Sequence, residues 1–362
     1  MGQPSADRDY LPGHERMQAL LSGIRQHRPR LRIRIAGTNG KGSTAFMLAA
    51  ALQSAGLTVG LYTSPHILRF NERIRIQGEP VSDALLLAAM QRLMPAALDA
   101  GASYFETATA LALDLFAAAG VDVEILEAGV GARLDATTAV PADMALITPI
   151  GLDHQAWLGE TVAAVASEKA FVMQGCRWSI SAPQTEAVVA VLNAFNPLVK
   201  YCDILHWREL AVAGVHQQIN ASLAYAAAEQ LQEILPEMDI DIAREAIAAC
   251  DVSGRLQLVQ VGDARVWLDA AHNRHAIEAL LPGLSALADP FDAILVFTRE
   301  DRSLEQELAL LSPYAREIVH SRGETDTALR ALRQAIEQYP HGSFLVLGSF
   351  ITVAAILRAY AD

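Results

Sequence analysis

Hydrophobic and polar positions along the chain fall into short blocks. "RLRIRIAG" at 30–37 alternates cation and apolar residue before a glycine-rich turn, and "STAFMLAAALQSAG" beyond it is a good helix former ending at Gly56. The pattern predicts strand, loop, helix. "LTVGLYTSP" reads as the next strand, and "SDALLLAAMQRLMPAALDAG" and "TATALALDLFAAAG" as helices. "VDVEILEAGVG" and "DMALITPIG" are apolar runs bounded by glycine or proline, the mark of strands buried on both faces. Such alternation implies an α/β fold with a doubly wound, mostly parallel sheet. A second set begins near residue 254, where "ARVWLDAAH", "FDAILVFT", "REIVHS" and "SFLVLGS" are strand-like, with "HAIEALLPGLSAL" and "TDTALRALRQAIEQY" helical between them. It predicts a second, smaller α/β domain. The segments "GVHQQINASLAYAAAEQLQEIL" and "DIAREAIAAC" read as a helical pair between the sets, with a hinge at "DVSGRLQ". The expected division is therefore 1–252 and 253–362.

Composition narrows the class. A chain of 362 residues, 52% hydrophobic and 19% charged, is globular and long enough for two domains. Cys176, Cys202 and Cys250 are too few and too scattered for a disulfide framework or a zinc site. The opening "MGQPSADRDYLPGHERMQ" has neither an apolar core nor a charged leader, so a cytoplasmic location is expected. No run is apolar enough for a membrane span. A formal net charge of −13 argues against general nucleic-acid binding, yet local cations and magnesium still permit an anionic small substrate.

The predicted junction of strand and helix carries "GTNGKGST", residues 37–44. A glycine-rich turn entering a helix presents backbone N–H groups and a positive dipole end to a phosphate. Lys41 adds a point charge, and a hydroxyl of Ser43 or Thr44 suits magnesium. The usual phosphate loop has no glycine at the position of Gly42.

With that extra glycine, "GTNGKGS" resembles the phosphate loop of the Mur ligase superfamily, in its dihydrofolate synthase and folylpolyglutamate synthase branch. "SPHILRFNERIRIQGEPVS", "FETATALALDLF", "ILEAGVGARLDATT", "LDHQAWLGETVAAVASEKA", "GVHQQINA", "SGRLQ", "DAAHNRHA" and "GSFITVAA" resemble that family's blocks in its order, across nearly the whole chain. The resemblance implies a P-loop sheet of the Mur central-domain type over 1–252, with a Rossmann-like domain, 253–362, closing over ATP. It implies ATP-dependent amide formation: a carboxylate attacks the γ-phosphate, and the amine of L-glutamate displaces phosphate from the acyl phosphate. The acid would be a pteroate or a folate-type acid, and the enzyme a monomer with no nucleic-acid or membrane partner.

The same resemblance distributes roles. Gly37, Thr38, Asn39, Gly40, Lys41, Gly42, Ser43 and Thr44 would bind ATP, joined by Asn220 near adenine and by Arg255, Asp269 and His272, with Asn273 and His275 beside them. Ser43, Glu127 and His154 would hold magnesium. Lys169 resembles a lysine found carbamylated, whose added oxygens hold a second magnesium ion; potassium is a further possible requirement. Lys41, His154 and Lys169 would be catalytic. Glu127 ends an apolar run at the carboxyl end of a predicted parallel strand, where open α/β sheets bind ligands. Ser64, Pro65, His66, Arg73, Phe105, Arg133 and Asp135 are the acid-binding candidates. For Phe105 a core role, for Asn220 a helix cap, and for Asp135 an Asx turn beside a surface arginine remain alternatives.

Five features depart from the family pattern. Ala132 stands for a glycine, Thr138 for an asparagine, and Arg274 interrupts "HNPHA". "TREDRSLE" matches an acidic-basic-acidic block only loosely, through Asp301 and Arg302. The stretch between "SEKA" and "GVHQ" is short. Three readings stand: a folate-type ligase, a ligase of the same kind for another acid and amine, and a nucleotide-binding protein without turnover.

Overall fold

A computed structural model describes residues 13–25, 27–298, 304–322 and 325–360, so Asp301 and Arg302 lie outside the described residues. The chain separates into two compact units. The larger comprises Met1–Ser64, Phe70–Trp207 and Ile219–Ala249, the smaller Pro65–Arg69, Arg208–Gln218 and Cys250–Asp362. Two short segments, Pro65–Arg69 and Arg208–Gln218, thus group with the smaller unit, whose main stretch begins at Cys250.

The larger unit contains β1 (Leu31–Ala36), β2 (Val59–Tyr62), β3 (Ile74–Ile76), β4 (Glu79–Pro80), β5 (Val123–Glu127), β6 (Met144–Ile147), β7 (Trp178–Ser181) and β8 (Lys200–Tyr201). They form one sheet in the order β4-β3-β2-β5-β1-β6-β7-β8. Strands β2, β5, β1, β6, β7 and β8 run parallel, while β3 pairs antiparallel with both β2 and β4. β1 lies between β5 and β6, with Ile35 opposite Glu127 and Ala36 opposite Ile147. This register brings the loops after β1, β5 and β6 to one edge of the sheet, the carboxyl edge where such folds bind ligands. The hairpin β3-β4 and the short β7 and β8 have too few residues for a periodic signal; their neighbours in the sheet define them.

The helix Lys41–Ser54 follows β1, and the helix Tyr104–Ala119 precedes β5. The second begins in a capping box: Ser103 Oγ accepts the Glu106 N–H, and the Glu106 side chain accepts the Ser103 N–H. It ends at Gly120, left-handed at φ 60°. Its Phe116 ring is fully buried against β2.

The smaller unit contains β9 (Gln257–Val261), β10 (Ala264–Leu268), β11 (Phe291–Thr298), β12 (Ala315–Arg322) and β13 (Ser343–Leu347), ordered β12-β11-β13-β10-β9. Only β9 runs antiparallel among these five. Among the described residues no helix is long and apolar enough to cross a membrane.

A Cβ on Gly60 of β2 would stand 2.6 Å from Phe116 Cδ1, and a packed ring has no room to yield. Gly60→Ala is expected to destabilise the larger unit by about 1–3 kcal/mol, read from the urea midpoint.

Candidate active site

The loop between β1 and its helix is held from below. Thr38 N–H donates to Pro149 O at 3.0 Å, Thr38 Oγ1 donates to Gly151 O at 2.9 Å, and Gly151 N–H donates to the same Oγ1 at 3.0 Å. The loop after β6 is thereby locked to the phosphate loop. Gly37 has φ 148°, and a Cβ there would fall 1.9 Å from Thr148 Oγ1. Gly40, the helix N-cap at φ 87°, would put a Cβ 2.1 Å from Asn220 Oδ1. Both glycines are thus imposed by close approach as well as by dihedral angle. Asn220 stands against the loop itself, and its role as an adenine contact stays an expectation.

Gly42 lies in the first helical turn, and a Cβ there would touch Glu127 Oε2 at 3.6 Å and Oε1 at 3.9 Å. These are ordinary contact distances, so space alone does not impose the extra glycine; the carboxylate lies beside the helix start, where the dipole favours it. Glu127 ends β5, is 3% exposed, and accepts the Ser64 N–H at 2.9 Å. Ser43 Oγ and Thr44 Oγ1 are buried with no hydrogen-bond partner. Buried hydroxyls left this way are costly, by about 1–3 kcal/mol each. A magnesium ion or phosphate oxygens beside Ser43, Thr44 and Glu127 would satisfy them, so the residues present fit the group. Among the described residues no three His, Cys, Asp or Glu side chains could hold a metal together.

Two lysines meet at Gly37. Lys169 Nζ donates to Gly37 O at 2.8 Å and Lys41 Nζ to the same oxygen at 3.3 Å, with Thr38 O at 3.2 Å. Lys169 is 3% exposed on the helix Val162–Ala170. Burial, then the neighbouring Lys41 charge, lowers its pKa from 10.5 to about 7, against the opposing pull of Asp153 and Asp135. His154 caps the single turn Gln155–Leu158 in the left-handed conformation, φ 50°, on the loop that Thr38 anchors. Its Nε2 lies 3.7 Å from Asp153 Oδ2.

The acid-binding candidates of the larger unit adjoin the loop after β5. Gly129 has no room for a Cβ, which would meet the Phe105 ring at 2.8 Å. Arg73 is buried with its guanidinium over Tyr104 at 5.4 Å and Phe70 at 5.9 Å. Tyr62 lies 5.8 Å from Phe105 between ring centroids. Burial raises the Tyr104 pKa, and Arg73 opposes the shift. Tyr62, Tyr104 and Phe70 escape motif reading because an aromatic side chain by itself is more often core than ligand contact.

Asp135 is 2% exposed, and its carboxylate accepts from Gly129, Val130 and Thr137 N–H and from Thr137 Oγ1 at 2.6–3.2 Å. Burial raises its pKa and these bonds oppose the rise. A substrate N–H reaching Asp135 would have to share or displace one of them. Arg133 is exposed, with Nη1 3.4 Å from Glu168 Oε1 and its guanidinium over Phe171 at 5.3 Å.

Pro65 and His66 belong to the smaller unit. So do Arg255, Asp269 and His272, which the structure brings close to one another. Asp269 accepts from Leu256 N–H at 2.9 Å and Ala271 N–H at 2.7 Å, fixing the turn that carries Arg255. Arg255 lies over the Phe350 ring at 4.9 Å, and His272 is 6.5 Å from that ring between centroids. Asn273 caps the helix Arg274–Leu287 by accepting the Ala276 N–H at 2.8 Å.

A phosphate loop on the central strand, a carboxylate at the end of its neighbour and a separate α/β unit define a P-loop protein of the Mur ligase fold. No family model matches the chain. It is 32% identical over 363 residues to dihydrofolate synthase/folylpolyglutamate synthase of Escherichia coli, covering 90% of this chain and 85% of that one. The Haemophilus influenzae protein of the same name is 44% identical over 288 residues, 70% of this chain and 65% of the other. The solved E. coli FolC in complex with DHPP and ADP superposes with a TM-score of 0.84 at 28% identity, over 97% of this chain and 94% of that one. The chain belongs to the dihydrofolate synthase/folylpolyglutamate synthase family. It is an ATP-dependent ligase.

Because the Lys169 pKa falls on folding, the unfolded chain binds the extra proton between about pH 7 and 10.5, and stability contributed at this site rises with pH across that window. In degassed buffer, urea unfolding of Lys169→Met should lack that rise relative to wild type, while the two curves run parallel below pH 7.

Proposed function

We propose that the chain activates the carboxylate of a pteroate or folate-type acid with the γ-phosphate of ATP and joins it to L-glutamate. Family membership supports the ligase class, and the names of the relatives support this choice of acid and amine. The observation that carries the reading is the convergence of Lys41 and Lys169 on Gly37 O at the carboxyl edge that also bears Glu127. The Lys41 cation there suits an anion, and a carboxylate beside buried hydroxyls suits its counter-ion.

In this reading, the N–H groups of 37–44 and Lys41 bind and orient the triphosphate. Ser43, Glu127 and His154 would hold magnesium, with Lys169, carbamylated, beside a second ion. The metal, when bound, neutralises charge on the phosphate oxygens. A Lys169 pKa of about 7 leaves much of this amine neutral at neutral pH, the form that carbamylation needs. Arg73 and the rings of Phe105 and Tyr104 accept the flat acid, whose carboxylate attacks the γ-phosphate. The amine of glutamate then displaces phosphate from the acyl phosphate. Catalysis of this kind rests on alignment of anionic partners. A cytoplasmic monomer fits such a reaction, and a potassium requirement rests on resemblance alone.

Mass detection of product from ATP, L-glutamate and a panel of pteroates, folates and unrelated acids tests the reading. Only pteroate or folate-type acids should give an amide with release of phosphate; product from another acid alone would favour a ligase of different substrate. Lys41→Ala should lower turnover at least about a hundredfold while the thermal transition is retained, and near-normal ligation would remove Lys41 from phosphate binding.

A further inference from the structure

The helix Glu15–Gly23 has no part in the chemistry above, yet it is tied to both elements that carry the acid-binding candidates. On one side Arg16 Nε donates to Glu106 Oε2 at 3.0 Å, and Arg25, just past the helix, donates through Nη1 to Asp114 Oδ2 at 2.9 Å. Both acceptors lie on the helix Tyr104–Ala119, whose first turn holds Phe105. On the other side His14 Nε2 is 3.1 Å from Asp135 O and 3.2 Å from Thr138 Oγ1, and Gln18 Nε2 donates to Ala139 O at 3.1 Å.

Proton bookkeeping fixes what His14 does. Asp135 O can only accept, so a bond to it from His14 requires the imidazole hydrogen on Nε2. The Thr138 hydroxyl has one proton for two carbonyls, Ala132 O at 2.6 Å and Asp135 O at 2.7 Å. When it donates to Ala132, Asp135 O is filled by the Thr138 N–H at 3.1 Å and by His14. Donating from Nε2, His14 ties this turn to the head of the helix Glu15–Gly23 and acts as a brace.

We propose that His14 is a positioning residue for the acid site: from the head of the helix Glu15–Gly23 it holds the Asp135–Thr138 turn at a set separation from Phe105. The inference rests on the acid-site assignment under the proposed function. Through that separation it sets how well the flat ring system of the acid fits, leaving ATP binding untouched.

The test combines kinetics with amide hydrogen exchange on the full-length enzyme. His14→Ala should raise KM for the acid about fivefold while KM for ATP stays within about twofold, the effect of one lost positioning hydrogen bond. His14→Gln, whose amide N–H donates in place of Nε2, should recover most of the loss. Exchange in 129–138 should quicken in His14→Ala while 37–44 is unchanged. Gln18→Ala, altering an exposed side chain, should show the same pattern more weakly and serves if His14→Ala folds poorly. An unchanged acid KM, equal rises for acid and ATP, or unchanged exchange in 129–138 overturns the proposal. A wild type that turns over no acid sinks the functional reading instead, and the exchange result still decides whether the brace exists.

Discussion

Gly37 is the point on which the site depends. Its carbonyl receives the Nζ of Lys169 and of Lys41, and its Cα faces Thr148 so closely that any side chain would collide with the hydroxyl. Strand β1 can deliver that carbonyl to the sheet edge only because β5 and β6 flank it in parallel register. The loop after β6 and two helix-borne lysines consequently meet at one glycine, and displacing it would displace both amines.

Around this point the larger unit buries charge to an unusual degree for so few residues. Lys169, Glu127 and Asp135 are each at most 3% exposed. Isolated ions in such places are very unfavourable, so each has specific partners. Lys169 has Gly37 O, Glu127 has the Ser64 N–H, and Asp135 has the loop of 129–137. The consequences differ with the chemistry of the partner. Burial and then the neighbouring Lys41 charge lower the Lys169 pKa; burial raises that of Asp135, and several N–H donors oppose the rise.

The departures from the family pattern prove compatible with the local backbone. Ala132 is outside the left-handed region that would demand glycine, which Gly131 beside it occupies at φ 66°. Thr138 places its hydroxyl within reach of Ala132 O and Asp135 O, across the turn. Arg274, in the first turn of its helix, pairs with Glu278 at 2.8 Å, an exposed i,i+4 contact of small energetic weight.

The sequence by itself determined the strands and helices that carry the loops, since β1, β5 and β6 are apolar runs with loop signals at their ends. It also determined the glycine-rich turn and the acid at the end of β5, because these are local and chemically specific. Tertiary structure alone decided who meets whom. Nothing in "SEKA" says that Lys169 reaches Gly37, a contact spanning 132 positions. Nor does "LPGHER" say that His14 braces a turn 121 positions away. Periodicity records which face of an element is buried, whereas such contacts depend on sheet order and register, which are properties of all the strands together.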